Sequence, residues 1–106
     1  MSEMSVIIEF SIVPMGEVSI SKYVAEIIKL VRDRGVKYQL TPMGTILEVN
    51  SIEEGLSIIR DAHELMFKLG SKRVLTTIRI DERRDKARTM EDKVKSVMEK
   101  VESVRE

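Results

Sequence analysis

The stretch Tyr38-Gln39-Leu40-Thr41-Pro42-Met43-Gly44-Thr45, followed by Glu48, sets the centre of the fold. Two short runs with strand character, Val36 to Thr41 and Thr45 to Val49, stand on either side of a tight turn. Pro42 and Gly44 suit its positions i+1 and i+3, because the proline ring presets φ and glycine tolerates crowding. A hairpin at mid-chain limits what the flanks can build. Upstream, Val6 to Val13 alternates, with Val6, Ile8, Phe10 and Ile12 on one face and Ile7, Glu9, Ser11 and Val13 on the other. Pro14 and Gly16 end that strand. Ser19 is then expected to cap a helix whose Ile20, Tyr23, Val24, Ile27, Ile28 and Val31 follow the 3.6 period, with Gly35 as its C′ residue.

Downstream, Ser51-Ile52-Glu53-Glu54 is a capping box: a serine N-cap with glutamate at N3. The helix behind it is expected to bury Ile52, Leu56, Ile59, His63 and Met66, and Gly70 marks its end. Arg73 to Asp81 reads as a fourth strand rich in β-branched residues. Thr89 caps a last helix, to Val104, with Val94, Val97, Met98, Val101 and Val104 on a narrow stripe. The order is β-α-β-β-α-β with an added C-terminal helix. That is the split βαβ, an α+β ferredoxin-like sandwich, expected as one domain over residues 1–106.

Composition narrows the function classes. A chain of 106 residues can bury a single core. Lys plus Arg equals Asp plus Glu at 18 each, so no net charge draws it to nucleic acid or anionic lipid. There is no cysteine, which removes disulfides, thiolate metal sites and a cysteine nucleophile. Met1-Ser2-Glu3-Met4 lacks the basic and apolar regions of a signal peptide, and no apolar run approaches membrane-spanning length. A cytoplasmic protein is expected.

Two helices can cover one face of a four-stranded sheet, so the other face must meet water, ligand or another subunit. The helix side is expected to carry Val6, Ile8, Phe10, Val36, Tyr38, Leu40, Val74, Ile78 and Ile80. The open side then holds Ile7, Glu9, Ser11, Val13, Gln39, Thr41, Met43, Leu75, Thr77 and Arg79, joined by Ile46 and Glu48. This mixture is too apolar for free solvent and too polar for core. A partly buried subunit interface holding a small polar ligand explains it better.

No catalytic constellation stands out: the sequence has no Ser-His-Asp grouping, Gly-rich phosphate loop or paired carboxylate motif. His63 is the single histidine, and without a second histidine or a cysteine it reads as a hydrogen-bonded packing residue, not a metal ligand. The run from Asp81 to Arg88, with Arg83-Arg84-Asp85 at its centre, mixes both signs and reads as ion pairs in a loop. Glu48 taken alone reads as a solvated strand residue.

The hairpin segment, Phe10-Ser11-Ile12-Val13-Pro14, and Arg73 to Asp81 followed by Arg83-Arg84-Asp85 together resemble the YkoF-like thiamine-binding family. The resemblance runs from about Val6 to Val104 and implies a non-enzymatic binder of thiamine or its hydroxymethylpyrimidine moiety. It places the ligand over the open face near the hairpin, against Ser11, Thr41, Met43, Gly44, Thr45 and Glu48. In that reading the Glu48 carboxylate accepts from the exocyclic amine and offsets the thiazolium charge, hydroxyls donate to ring nitrogens, and Gly44 lets backbone approach a flat ring. The resemblance also implies a homotetramer built as a dimer of dimers; no cofactor, metal, nucleic-acid or membrane partner is expected. A ferredoxin-like sensor for another metabolite is the alternative. An RNA-binding module of the same topology is disfavoured, since no strand carries paired stacking aromatics.

Overall fold

The computed structural model describes residues 5–86 and 88–105. Its elements are β1 (Val6–Pro14), α1 (Ser21–Asp33), β2 (Lys37–Thr41), β3 (Gly44–Val49), α2 (Ile52–Lys68), β4 (Val74–Glu82) and α3 (Met90–Arg105). The strands form one sheet in the order β2-β3-β1-β4, with every neighbouring pair antiparallel. This is the expected ferredoxin-like arrangement with an extra C-terminal helix. Met1–Met4, read as lacking signal-peptide features, and Ala87 in the charge run fall outside the described residues.

Strand alternation decides the core. Phe10 stands opposite Thr45 and Ile78, Ile8 opposite Leu47 and Ile80, and Val6 opposite Val49, so these side chains share one face. Val6, Ile8, Phe10, Ile12, Leu47 and Val49 are buried there beneath Tyr23, Ile27 and Val31 of α1 and Ile58, Ile59, Ala62 and Met66 of α2. Each fully buried apolar side chain of this size contributes about 1.5–3 kcal/mol. Register puts Ile7, Glu9, Ser11, Gln39, Thr41, Ile46, Glu48, Leu75, Thr77 and Arg79 on the opposite face, as the alternation predicts. On the edge strand β4, Ile78 and Ile80 point to the helix side yet remain exposed.

Two helix details differ from the sequence reading. The N-cap of α1 is Ile20, not Ser19, and no side chain accepts from the first turn. In α2 the buried arc runs through Gly55, Ile58, Ile59, Ala62 and Met66, leaving Leu56 exposed and His63 half-buried. The reason is proximity. Gly55 and Ala62 lie two turns apart and let the helix settle closely onto the sheet, a preference that a search for large apolar residues misses.

Other signals appear as expected. Gly35 and Gly70 follow α1 and α2 in left-handed conformations, at φ 73° and 105°. The Ser51 hydroxyl accepts from the Glu54 N–H at 3.1 Å, and the Glu54 carboxylate returns to the Asn50 N–H at 3.1 Å.

The close α2 contact generates a test. A methyl group at Gly55 would fall 2.3 Å from Ile8 Cδ1 and 3.3 Å from Val49 Cγ2. Alanine improves helix propensity by roughly 1 kcal/mol, but overpacking against fully buried Ile8 costs about 1–3 kcal/mol. Gly55→Ala should therefore lower stability in urea unfolding. An increase in stability would show that α2 does not sit this close to the sheet.

Candidate functional site

At the end of the sheet where the β2–β3 hairpin turns, a cleft of about 1050 Å³ opens between the hairpin, the end of β1 and the first turns of α1. That volume is at the upper end of the range for small-molecule sites. Phe10, Ile12, Ile20, Val24, Ile28 and Leu40 supply much of its apolar wall. Its polar side chains are hydroxyls, those of Ser11, Ser19, Ser21, Thr41 and Thr45, and among the described residues no charged side chain lines it. The open sheet face beside the hairpin holds only about 30 Å³ between Ser11, Met43, Thr77, Arg79 and Glu9. That is roughly the room of one water. The larger cavity thus opens at the hairpin end of the sheet toward α1, with Ser11 and Thr41 of the open face at its edge.

The hairpin owes its shape to Thr41. A two-residue connection normally adopts a primed turn with positive φ, which proline cannot enter. Here the Thr41 hydroxyl accepts from the Gly44 N–H at 3.1 Å and the Met43 N–H at 3.3 Å, and donates to the Gly44 carbonyl at 2.8 Å. One side chain therefore holds the turn that Pro42 would otherwise open. Gly44 is needed for a second reason: a Cβ there would come within 2.8 Å of the Phe10 carbonyl oxygen.

That contact also orients the β1 backbone. The Phe10 carbonyl points toward β3, and the Met15 N–H, on the other edge, donates to the Arg73 carbonyl at 2.8 Å. Residues two apart in a strand direct their N–H and C=O to the same side. Ile12 therefore turns both groups toward β3. The pairing of β1 with β3 stops at Phe10–Thr45, whereas its pairing with β4 continues to Pro14–Val74. Among the described residues no strand lies against that edge of Ile12, which lines the cleft. Among the described residues the cleft is thus edged by one backbone donor beside one backbone acceptor, neither with a backbone partner.

Five of the six residues singled out from the sequence, Ser11, Thr41, Met43, Gly44 and Thr45, border this cleft. They do not share a face. Thr45 is only 4% exposed and points with Phe10 toward the helices, whereas Ser11 and Thr41 lie on the open side at the sheet's end. Met43 is at the exposed tip of the turn. The contribution of Val18 to Ile20 ahead of α1, and of Ser21, Val24 and Ile28 within it, was not anticipated, because helical periodicity assigns the apolar ones among them to the core. The signal available was the width of the apolar arc of α1, which exceeds what one sheet contact needs.

Glu48 is placed elsewhere. It sits opposite Ile7 and Lys37 near the far end of β3, with its side chain 14% exposed. One carboxylate oxygen accepts from the Met90 N–H at 2.8 Å, and the other lies 3.6 Å from Lys37 Nζ. Met90 opens α3, so Glu48 supplies a negative charge to the positive end of that helix. Thr89 and Asp92 complete the cap by reciprocal side chain to N–H bonds at 3.0 Å, and Lys37 pairs with Glu91. The stripe of α3 remains open, with Val94, Val97, Met98 and Val101 at 40–62% exposure; the side chain of Val104 is outside the description.

The remaining polar candidates have partners within the fold. His63 Nδ1 lies 2.6 Å from the Thr76 hydroxyl, and its ring meets Phe67 edge-on at 5.4 Å. Arg83 is held by Asp85 at 2.5 and 2.8 Å, and Arg84 by Glu82 at 3.1 and 3.3 Å. These exposed pairs neutralise one another locally.

The α3 anchor gives a pH prediction. Bonds from Thr89 hold the Asp92 carboxyl below its ordinary 3.8, and the bond from Lys37 holds Glu91 below its ordinary 4.5; Glu91 in turn raises Lys37 above 10.5. Lowered acid values stabilise the folded form above the ordinary values and lose that effect as pH falls through the folded ones. The raised lysine stabilises below 10.5 and loses its effect as pH rises past its folded value. Protection of the amides at the start of α3, taken relative to their intrinsic exchange at each pH, should therefore be greatest between pH 4.5 and 10.5 and fall outside that window. Glu48→Ala should weaken the same attachment by about 1.5–3 kcal/mol, the range for a hydrogen bond to a charged group. Unchanged exchange at Met90 in that variant would remove Glu48 from the anchor.

The chain matches the model of the family described as thiamine-binding protein over residues 8–98. It is 40% identical over 95 residues to a UPF0045 protein of Methanothermobacter thermautotrophicus, covering 88% of this chain and 96% of that one. With the UPF0045 protein YqgV of Bacillus subtilis it shares 41% over 97 residues, covering 86% and 92%. Among solved structures, a hypothetical protein of Methanocaldococcus jannaschii superposes with a TM-score of 0.81 at 36% identity, covering 90% of this chain and 97% of that one. A Thermotoga maritima protein provisionally titled for thiamine biosynthesis or salvage shares the fold at a TM-score of 0.75, with 22% identity and coverage of 88% and 98%. On this match across most of its length, the chain belongs to the thiamine-binding protein family.

Proposed function

We propose that this protein is a non-enzymatic binder of the aminopyrimidine of thiamine, as hydroxymethylpyrimidine or within thiamine itself, and that the ligand occupies the cleft between the hairpin and α1. The observation that carries the reading is the free backbone edge of Ile12 inside that cleft. An aminopyrimidine has an exocyclic amine donor next to a ring-nitrogen acceptor. One strand residue with N–H and C=O aimed the same way matches that pair, as an added strand would. The apolar walls suit the flat ring, and Thr45 adds a hydroxyl from below. Membership of the thiamine-binding protein family supports this ligand class.

The uncharged lining favours the neutral pyrimidine alcohol over thiamine, since no carboxylate in the cleft offsets a thiazolium. Glu48, committed to Met90, plays no part in this version of the site. Calorimetric titration tests it. Hydroxymethylpyrimidine should bind, and Thr45→Val should weaken it by about 0.5–1.5 kcal/mol through loss of one hydrogen bond at nearly equal volume. Glu48→Gln should leave its affinity unchanged. Binding of an unrelated metabolite, with none of the pyrimidine or thiamine, would favour the sensor alternative.

The same proposal includes assembly as a homotetramer, a dimer of dimers. The exposed stripe of α3 and the half-apolar open sheet face, with Leu75 at 57% exposure, each need a cover. Light scattering should return about four times the 12.2 kDa of one chain. A monomer at micromolar concentration would contradict this.

A further inference from the structure

The rim of the cleft at α1 has an unused electrostatic feature. Ser19, Ile20 and Ser21 all line the cleft, and the helix begins there. The Tyr23 and Val24 N–H groups both donate to the Ile20 carbonyl, at 3.0 Å each. The Ser21 and Lys22 N–H groups precede the first intrahelical donor, Tyr23, and meet no partner among the described residues. No side chain caps this end, and its first turn contains no acidic residue. The α3 terminus, by contrast, is satisfied by Glu48, Thr89 and Asp92.

A second observation comes from the cleft floor. Thr45 is 4% exposed, lines the cleft, and its hydroxyl has no hydrogen-bond partner among the described residues. Among the described residues no fully enclosed side-chain polar atom goes unbonded, so this hydroxyl meets the cleft space and not a sealed void. A nearly buried hydroxyl in that position requires a ligand atom or water to satisfy it.

We infer that the cleft takes its pyrimidine as a phosphate monoester, with the phosphoryl group on the free N–H groups of Ser21 and Lys22 and the Thr45 hydroxyl bonded to the ligand below. The inference rests on the aminopyrimidine reading of the cleft and adds the charged group to it. A helix start with free N–H groups is suited to an anion, both by direct donation and by its positive end. The surrounding hydroxyls bring no negative charge to oppose one.

The test compares hydroxymethylpyrimidine with its phosphate monoester by calorimetry, on wild type and on Ser21→Asp. Ser21 is exposed, and an aspartate in the first turn favours the helix, so the variant should melt no lower than wild type. Wild type should prefer the monoester by about tenfold or more, and Ser21→Asp should bring that ratio to about one or below. Wild type that binds the alcohol as tightly as the monoester would overturn this inference and leave the pyrimidine reading standing. Wild type that binds neither would remove both. A tenfold preference that survives in Ser21→Asp would place the phosphate away from α1 and overturn the assignment.

Discussion

The offset of β1 within the sheet is the constraint on which the rest depends. From Val6 to Phe10 the strand is paired on both edges, and from there to Pro14 only β4 accompanies it. An interior strand that outruns one neighbour leaves backbone polar groups to be satisfied by something else. Here the hairpin turns at Pro42 and Met43 before it can reach Ile12, because Thr41 clamps the turn and Gly44 fits against the Phe10 carbonyl. The cleft is the space that the early turn leaves, and α1 closes its far side. Fold and candidate site therefore share one cause.

The two ends of the sheet are used differently. At the hairpin end, apolar walls and hydroxyls surround free backbone groups, with no charged side chain in the lining. At the other end, Glu48, Lys37, Glu91, Thr89 and Asp92 spend their hydrogen bonds on the start of α3. A carboxylate already bonded to a helix N–H is poorly placed to serve a ligand some residues away on the same strand. The helix it anchors then projects its valine stripe into solvent, which ties the charge at Glu48 to the surface where assembly is proposed.

Topology was legible in the sequence because periodicity, caps and glycines agreed on it. The alternation of β1, the Ser51–Glu54 box, and Gly35 and Gly70 each act over a few residues and need no tertiary information. The hairpin residues could be gathered as neighbours for the same reason. What stayed hidden depends on distances between segments far apart in the chain. Thr45 and Glu48 look equivalent in a list, yet the odd spacing between them sends them to opposite faces of β3. Ser19 looks like a cap, but the helix starts one residue later and leaves its first N–H groups free. No pattern of side chains announces that Ile12 has an unpaired edge, since that property belongs to where β3 stops.

The central claim is that the Ile12 edge inside the cleft recognises an aminopyrimidine. An amide-resolved NMR titration of the labelled protein with hydroxymethylpyrimidine addresses it most directly. The account predicts that the Ile12 amide shifts strongly, with Gly44, Thr45 and the first residues of α1 following, while Met90 and the strand around Glu48 stay in place. Shifts centred on Glu48, Thr77 and Arg79, or saturable binding with the Ile12 amide unmoved, would contradict it.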